Sequence, residues 1–494
     1  MSEDVFISVD LGTTSVKSFL LRGDGSVLKS YVDSISLVKD PSIRSVEQVL
    51  GEVRHKVLNS LKYVVRGFEG KVSGLTFSSY GYSLVCLDDD FQPISNIMTY
   101  LDGRAVREQD YLEGCGVELY RRTGCPPLFI YPIARLLWLK TRGKLEGISR
   151  VSFVKDYIIY LLSKSWYIDL GVASTTGLLN THKLVWDDIA LNLVGIDENK
   201  LPELIDGSKV LDYITLPELK LEKVPITLGS MDGALQNLAY SLYEGEAGMN
   251  LGSSAALRVM TNEVVLDRSE RMRLYHYYLA DGYRVTGAIF NNGMSALDWF
   301  KDVVGGGDWE VITGGLREGA SCRDGIYVLP FALGETLPFR DPYMKFTVLG
   351  LTLGNERGAL FKAVFEGLGY LFKETVKALS DNGIEVKEVH CGGGGCLIKG
   401  IVEVISNVMC KPIVTYREEV SRGASALGAL ATLLRGLNYV GSLREVRFDV
   451  VNEFRSNIII PSQSLCRVYD ECYADYLEVV EFASKLYKKL FKTS

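Results

Sequence analysis

Asp10 ends the apolar run Val5-Phe6-Ile7-Ser8-Val9 and stands just before Leu11-Gly12-Thr13-Thr14. A glycine followed by hydroxyl residues in a tight turn can offer backbone N–H groups and O–H donors to an anion. A carboxylate beside such a turn would repel a phosphate unless a cation lay between them. Mg2+ prefers hard oxygens and keeps several waters, so Asp10 is a candidate for the water shell of a magnesium ion, with simple capping of the turn as the alternative. Lys17, on the next apolar run, could reach a phosphate or could be a solvated strand lysine. The same order of polar residue, Leu, Gly, hydroxyl, hydroxyl returns at Asn250-Leu251-Gly252-Ser253-Ser254. Two such turns suggest a clamp on one polyphosphate. The second has neutral Asn250 where the first has Asp10, so one side of the clamp would carry the metal and the other would not.

Asp232 lies in Gly229-Ser230-Met231-Asp232-Gly233-Ala234, after the strand-like Val224 to Leu228 and at the start of a helical pattern reaching Leu242. A carboxylate there can face a cleft. It could act as general base on a substrate hydroxyl, or merely cap the helix. A third glycine feature, Gly392 to Gly395, follows the strand-like Val386 to His390 and precedes a helical pattern from Ile398 to Val408. Bare backbone of this kind lets a flat ring or a phosphate approach closely, although a plain strand-to-helix turn has the same composition.

These residues need elements to hold them. The opening reads strand, turn, strand, turn, strand: Val5 to Val9, Val16 to Leu21, and Ser26 to Ser34. A helical pattern from Ser45 to Val65 follows, then strands at Val72 to Phe77 and Leu84 to Leu87. Leu136 to Leu162 reads as mostly helical, and Asp169 to Asp188 as loop. Later come helices at Ala359 to Asn382 and Asp475 to Phe491, and a strand at Ile458-Ile459-Ile460. The chain of 494 residues is too long for one core, and no long linker divides it. Two apposed domains, 1–244 and 245–494, are expected, with a cleft between them.

The net charge of -7 argues against a nucleic-acid-binding surface. The nine cysteines have no Cys-x-x-Cys pair and there are only four histidines, so reduced, mostly buried thiols are expected and a zinc site is not. The acidic start Met1-Ser2-Glu3-Asp4 does not resemble a secretory leader, and no apolar run reaches membrane-spanning length. A cytoplasmic location without membrane partners follows as the expectation.

Together the motifs resemble the FGGY family of carbohydrate kinases, within the actin, hexokinase and Hsp70 superfamily. The resemblance covers residues 4 to 435 and carries Asp10-Leu11-Gly12-Thr13-Thr14 as first phosphate motif and Gly252-Ser253-Ser254 as second. Asp232 falls on the family's catalytic base and Gly393-Gly394-Gly395 on its adenosine motif. Lys155-Asp156-Tyr157, Ala173-Ser174 to Gly177, Leu329-Pro330-Phe331 to Gly334-Glu335, Asp341-Pro342 and Gly350-Leu351-Thr352 match in order. The resemblance implies an α/β fold of two actin/hexokinase-like (ribonuclease H-like) domains around a ligand cleft. It implies ATP and Mg2+ as cofactors, with Asp10 and Asp232 toward the metal, and Gly12, Thr13, Thr14, Lys17, Gly252, Ser253, Ser254, Gly293, Gly393, Gly394 and Gly395 toward the nucleotide.

Phe77-Ser78-Ser79, Ser83-Leu84, the stretch Thr99-Tyr100-Leu101-Asp102-Gly103-Arg104-Ala105, and Asn291-Asn292-Gly293 look most like gluconate kinases, with xylulose kinases next. Positions in those motifs make Tyr80, Tyr82, Tyr100, Asp102, Arg104 and Asn292 the candidates for the sugar pocket. Tyr80-Gly81-Tyr82 replaces the Ala-Met-His or Gln-Met-His of relatives, and Tyr100 a Trp, which points to an unusual substrate. Ile398 and Ile401 depart from the usual residues on the adenine side, and so bear on nucleotide preference. The expected reaction is phosphoryl transfer from ATP to a hydroxyl of a small sugar or sugar acid. Gluconate is favoured, with xylulose or another ketose or polyol as the alternative and a non-catalytic sensor as the rival. A carboxylated substrate calls for a fixed arginine, for which Arg104, Arg135 and Arg340 are candidates. The small-molecule substrate is the expected partner, and a homodimer is an open alternative to a monomer.

Overall fold

The computed structural model describes residues 4–491. Met1, Ser2 and Glu3, on which the reading of the acidic start partly rested, lie outside the described residues.

Strand β1 (Val5–Leu11) is buried along its whole length, as its unbroken apolar run requires of a central strand. It pairs antiparallel with β2 (Ser15–Arg22), whose inner face alternates with a more open one. β2 in turn pairs with β3 (Val27–Ser34), a largely exposed edge. On its other side β1 runs parallel to β4 (Val72–Ser79), and β5 (Val210–Leu216) and β6 (Leu221–Thr227) complete the order β5-β6-β4-β1-β2-β3. The short β7 (Ser230–Met231) also lies along β4.

A second sheet repeats the plan. β8 (Glu246–Leu251) pairs antiparallel with β9 (Ala255–Thr261), which pairs with β11 (Tyr283–Phe290), and β10 (Tyr275–Ala280) lies outermost. On the other side β8 runs parallel to β12 (Glu388–Gly392) and β12 to β13 (Ile413–Tyr416), with antiparallel β14 (Arg455–Ile459) at the edge. The central strands β1 and β8 thus occupy equivalent places, and each feeds one of the two glycine-hydroxyl turns.

Two helices tie the sheets together. α1 (Leu50–Val65) covers β2 and β3 within the first half. α2 (Asp232–Ala239) packs on β8 and β9 of the second sheet, although its residues follow the first. α5 (Glu418–Gly436), which comes after α3 (Met294–Val303) and α4 (Arg357–Asp381), packs against β1 and β4 of the first sheet. α2 and α5 meet at Gly428, where an added Cβ would sit 2.0 Å from the Leu235 carbonyl oxygen. Only a residue without Cβ allows that approach. The last helix, α6 (Gln463–Phe491), starts at Gln463 and not at Asp475.

Other departures from the sequence expectation have local causes. Ser45–Gln48 is a strand and not the first turn of α1, because it pairs with Leu37–Asp40 and Ile97–Met98. Leu136 to Leu162 is two helices, Pro132–Thr141 and Val154–Ser163, parted by the strand Arg150–Ser152 that pairs with Val85–Leu87. The stretch read as loop after Asp169 contains a helix, Leu170–Ser174, whose start is capped by Asp169 Oδ1 accepting from Val172 N at 2.9 Å.

The expectation of reduced cysteines is corrected. Cys322 pairs with Cys472, Cys391 with Cys396, and Cys410 with Cys466, while Cys86, Cys115 and Cys125 are free. Two of these bonds tie α6 to the rest of the second half, joining residues 150 and 56 positions apart. Proximity of that kind is created by the fold and leaves no spacing signature. Among the described residues no helix is long and apolar enough to cross a membrane.

Candidate functional site

The two turns open onto one cavity of about 340 Å³. At the first, Gly12 N donates to Ser15 O at 2.9 Å, and at the second Gly252 N donates to Ser254 O at 3.0 Å. Their carbonyls are engaged by the protein. Gln48 Nε2 donates to Thr13 O at 2.6 Å and Ile35 N to Thr14 O at 2.8 Å. Met294 N, at the start of α3, donates to Gly252 O at 2.8 Å, and Ser295 Oγ to Ser253 O at 2.6 Å. With the acceptors taken, both turns have N–H groups and hydroxyls left to offer an anion.

The turns differ in charge. Asp10 faces Lys17 across the β1–β2 pair, and Lys17 Nζ lies 3.2 Å from Asp10 Oδ2. Ser78 Oγ donates to Asp10 Oδ1 at 2.9 Å from the neighbouring β4. The equivalent pair in the second sheet is Asn250 and Ala256, which carries no charge. The asymmetry read from Asp10 and Asn250 therefore extends to the facing strand.

Asp232 opens α2 on the same cavity and accepts from Gly233 N at 2.6 Å. Its carboxyl is pushed up to about 6, chiefly by loss of water around it and further by the nearby Asp10 charge, against the pull of Arg258. A carboxyl held there is poised between proton acceptor and donor near neutrality. Arg258, on β9, is buried beside it: Nη1 donates to Gly233 O at 2.9 Å and Nε to Tyr275 Oη at 3.1 Å. The sequence reading missed Arg258. Its signal was the period of two running from the second turn into β9, since Ser254, Ala256 and Arg258 all line the cavity.

Three tyrosines form part of the same wall. Tyr80, Tyr82 and Tyr100 line the cavity, and Tyr80 Oη donates to Gln48 Oε1 at 2.6 Å. Tyr82 sits at φ 67°, a left-handed conformation that a non-glycine residue adopts at a cost. The fully buried Arg135 stabilises it by donating to the carbonyls of Tyr82, Thr99 and Ile130. The Tyr100 phenol interacts with Thr13 of the first turn and Ser254 of the second, so one side chain touches both.

Gly393 and Gly394 line the cavity with Ser421, Arg422, Ala424 and Ser425 from the start of α5. Gly393 has φ 98°, and an added Cβ would meet Leu251 O at 2.7 Å and Asn250 Oδ1 at 2.9 Å. The glycine run therefore packs directly on the second turn. The pairing of Cys391 with Cys396 brackets that run.

Ten of the residues expected from sequence thus share the cavity: Asp10, Thr13, Lys17, Tyr80, Tyr82, Tyr100, Asp232, Ser254, Gly393 and Gly394. Gly12, Thr14, Gly252, Ser253, Gly293 and Gly395 shape its turns without lining it. Three sugar-pocket candidates sit elsewhere. Asp102 is buried, bound by Arg104 at 2.6 Å and by Val46 N at 3.1 Å. Arg104 also pairs with Glu47 and lies over the Trp138 ring. Asn292 donates to Gly334 O at 2.6 Å and to Glu335 Oε2 at 3.1 Å, and accepts from Leu333 N at 3.0 Å. Of the other arginine candidates, Arg135 is spent on carbonyls and Arg340 on Glu113 at 2.6 Å. The two carboxylates at one end of a polar cavity, beside Lys17 and two anion-accepting turns, suit a nucleoside triphosphate with its magnesium ion.

Comparison with known proteins adds an independent line. Residues 5–239 match the N-terminal domain, and residues 247–432 the C-terminal domain, of the FGGY family of carbohydrate kinases. A gluconokinase of Bacillus subtilis strain 168 is 26% identical over 454 residues, covering 86% of this chain and 87% of its own. Two crystal structures from Lactobacillus acidophilus, a gluconate kinase and a ligand-bound xylulose kinase, each superpose with a TM-score of 0.89 at 23% identity, over 99% of this chain and 100% of theirs.

Proposed function

The chain belongs to the FGGY family of carbohydrate kinases, ATP-dependent phosphotransferases that act on sugar hydroxyl groups, and on that premise we propose that its acceptor is a sugar acid, gluconate favoured. The observation that carries this reading is Arg258. It is a buried guanidinium in the same cavity as Asp232, and its Nε and Nη1 are spent on Tyr275 and Gly233. Among the described residues Nη2 has no such bond, so it is left for a substrate carboxylate, which would gain a charge-assisted hydrogen bond. A neutral sugar would leave Nη2 without that partner, with Asp232 as the neighbouring counter-charge.

In this reading Asp232 accepts the proton of the attacking hydroxyl, and its raised pKa suits that step near neutral pH. Lys17, Thr13 and Ser254 hold the phosphates through N–H, O–H and ammonium donors. Asp10 and Asp232 would hold Mg2+, which when bound supplies neutralisation of phosphate charge. Gly393 and Gly394 let the nucleoside lie close to the backbone. Catalysis then rests on positioning and charge neutralisation, since phosphoryl transfer asks for little covalent chemistry from the protein. The wall of Tyr80, Tyr82 and Tyr100 supports a second reading, a neutral ketose such as xylulose, because phenols serve neutral hydroxyls as well.

A screen for ADP release over gluconate, xylulose, ribulose, glycerol and erythritol separates the two. Gluconate should give the highest kcat/KM. A neutral ketose or polyol ahead of every aldonate would overturn the sugar-acid reading while leaving the kinase assignment intact.

A further inference from the structure

Away from the cleft, two glutamates and a histidine converge on one face of the second sheet. Glu246 begins β8 and Glu388 begins β12, and the register pairs them directly. His390 lies two residues beyond Glu388, so strand alternation puts it on the same face. His390 Nε2 is 3.1 Å from Glu388 Oε1 and 3.7 Å from Glu246 Oε1, and the three ligand atoms lie within 4.8 Å of one another. His390 is only 5% exposed, and its Nε2 is buried against the two carboxylate oxygens without a hydrogen bond of good geometry to either. Two carboxylates held this close repel one another unless positive charge at the cluster offsets them.

The surroundings orient the cluster. Tyr416 Oη lies 2.7 Å from His390 Nδ1, and this contact fixes the ring and leaves Nε2 as the ligand atom. Tyr416 is itself stacked on Tyr240 at 4.4 Å. Glu246 Oε2 accepts from Tyr243 N at 3.1 Å, which leaves Oε1 toward His390. Arg455 Nη2 reaches Glu388 Oε1 at 3.2 Å from the partly exposed end of β14, as an outer partner of that carboxylate.

We propose that Glu246, Glu388 and His390 form a site for a divalent transition-metal ion of the zinc class, distinct from the magnesium position at Asp10. One imidazole and two carboxylates suit Zn2+, Co2+ or Mn2+ better than Mg2+, which prefers oxygen alone. The absence of any cysteine ligand is why cysteine and histidine spacing did not signal it. Because His390 stands just before Gly392, the ion would pin the strand that delivers the glycine run to the cavity.

The test uses the full-length chain, stripped with a chelator and held in excess Mg2+. Zn2+ is titrated against a chromophoric competitor, and Co2+ is followed by its visible absorption. One ion per chain is expected, with a Zn2+-dependent rise in melting temperature. His390→Ala should weaken binding at least about tenfold and abolish that rise. Glu246→Gln, at a partly exposed position where refolding is not at issue, should weaken binding as well, and Asp10→Asn should retain it. Absence of Zn2+ binding in the parent chain, parent-like binding in both His390→Ala and Glu246→Gln, or loss of binding in Asp10→Asn would each overturn the proposal and leave an ion pair of His390 with its two glutamates.

Discussion

Arg258, from the second sheet, donates to the carbonyl of Gly233 at 2.9 Å, one residue after Asp232. The bond places a fixed cation beside the carboxylate that opens α2. It also makes the geometry of the first half's key residue depend on a strand of the second.

Replacing Asp232 by Asn removes the proton acceptor but keeps the shape of the turn. Turnover should fall by about 10²–10⁴-fold, the range of general-base effects. Nucleotide affinity, followed by fluorescence or calorimetry, should change by no more than a few fold. Wild-type turnover in this variant would remove Asp232 from the proposed role.

The pH dependence follows from the same carboxyl. Its pKa is raised from 3.8 to about 6, so the base is protonated and inactive at lower pH. The acid limb of kcat/KM in the free enzyme should therefore fall away below about pH 6. Stability has the opposite sign. A raised carboxyl pKa favours the folded state while the group is protonated, and that advantage is lost as pH rises through about 6. Ionised Asp232 costs the unliganded protein on the order of 3 kcal/mol. Asp232→Asn should raise the melting temperature most at pH 8, by roughly half as much at pH 5, and hardly at all below about pH 4.

Arg258→Gln should lower kcat/KM for gluconate by about a hundredfold or more, because a buried charge-assisted pair is lost. A neutral ketose that is accepted should lose less, its own loss coming only from the disturbed support of Gly233 and Asp232. Arg104→Ala should instead depress all substrates alike through loss of its ion pairs with Asp102 and Glu47. Equal losses on aldonate and ketose in Arg258→Gln would make that arginine purely structural.

Gly393→Ala introduces a Cβ where φ is 98° and the Leu251 carbonyl is 2.7 Å away. The strain should cost about 1–3 kcal/mol. Displacement of the glycine run from the second turn should raise the KM for ATP several fold with less effect on that for the sugar, as read from initial rates.

Thiol counting offers a check on the cysteines. The denatured, unreduced protein should titrate three thiols, Cys86, Cys115 and Cys125, and all nine only after reduction. Reduction should lower the melting temperature. Loss of the Cys322–Cys472 bond alone, which closes a separation of 150 residues, is worth on the order of 5 kcal/mol in the chain-entropy picture.

The sequence was informative wherever a function needs a residue type at a fixed local spacing. Asp10 before Gly12-Thr13-Thr14, Asn250 before Gly252-Ser253-Ser254, and Asp232 at the head of α2 are all written in a few consecutive residues, since a turn is a local object. The long helices and the buried central strands were legible for the same reason: their periodicity is carried by neighbours in the chain. Short elements such as Ser45–Gln48 were not, because pairing with distant strands overrode a local helical pattern.

Tertiary structure alone decided which candidates share a cavity. Arg104, Arg135 and Arg340 were equal to Arg258 as residue types, yet the fold spends the first three on carboxylates or carbonyls and leaves Arg258 beside Asp232. It also decided which cysteines meet, and that Glu246, Glu388 and His390 converge on one sheet face. The physical reason is common to all three. Electrostatic partners and covalent bonds are set by distances across the fold, and those distances are fixed by packing β8 between β9 and β12, not by any spacing along the chain.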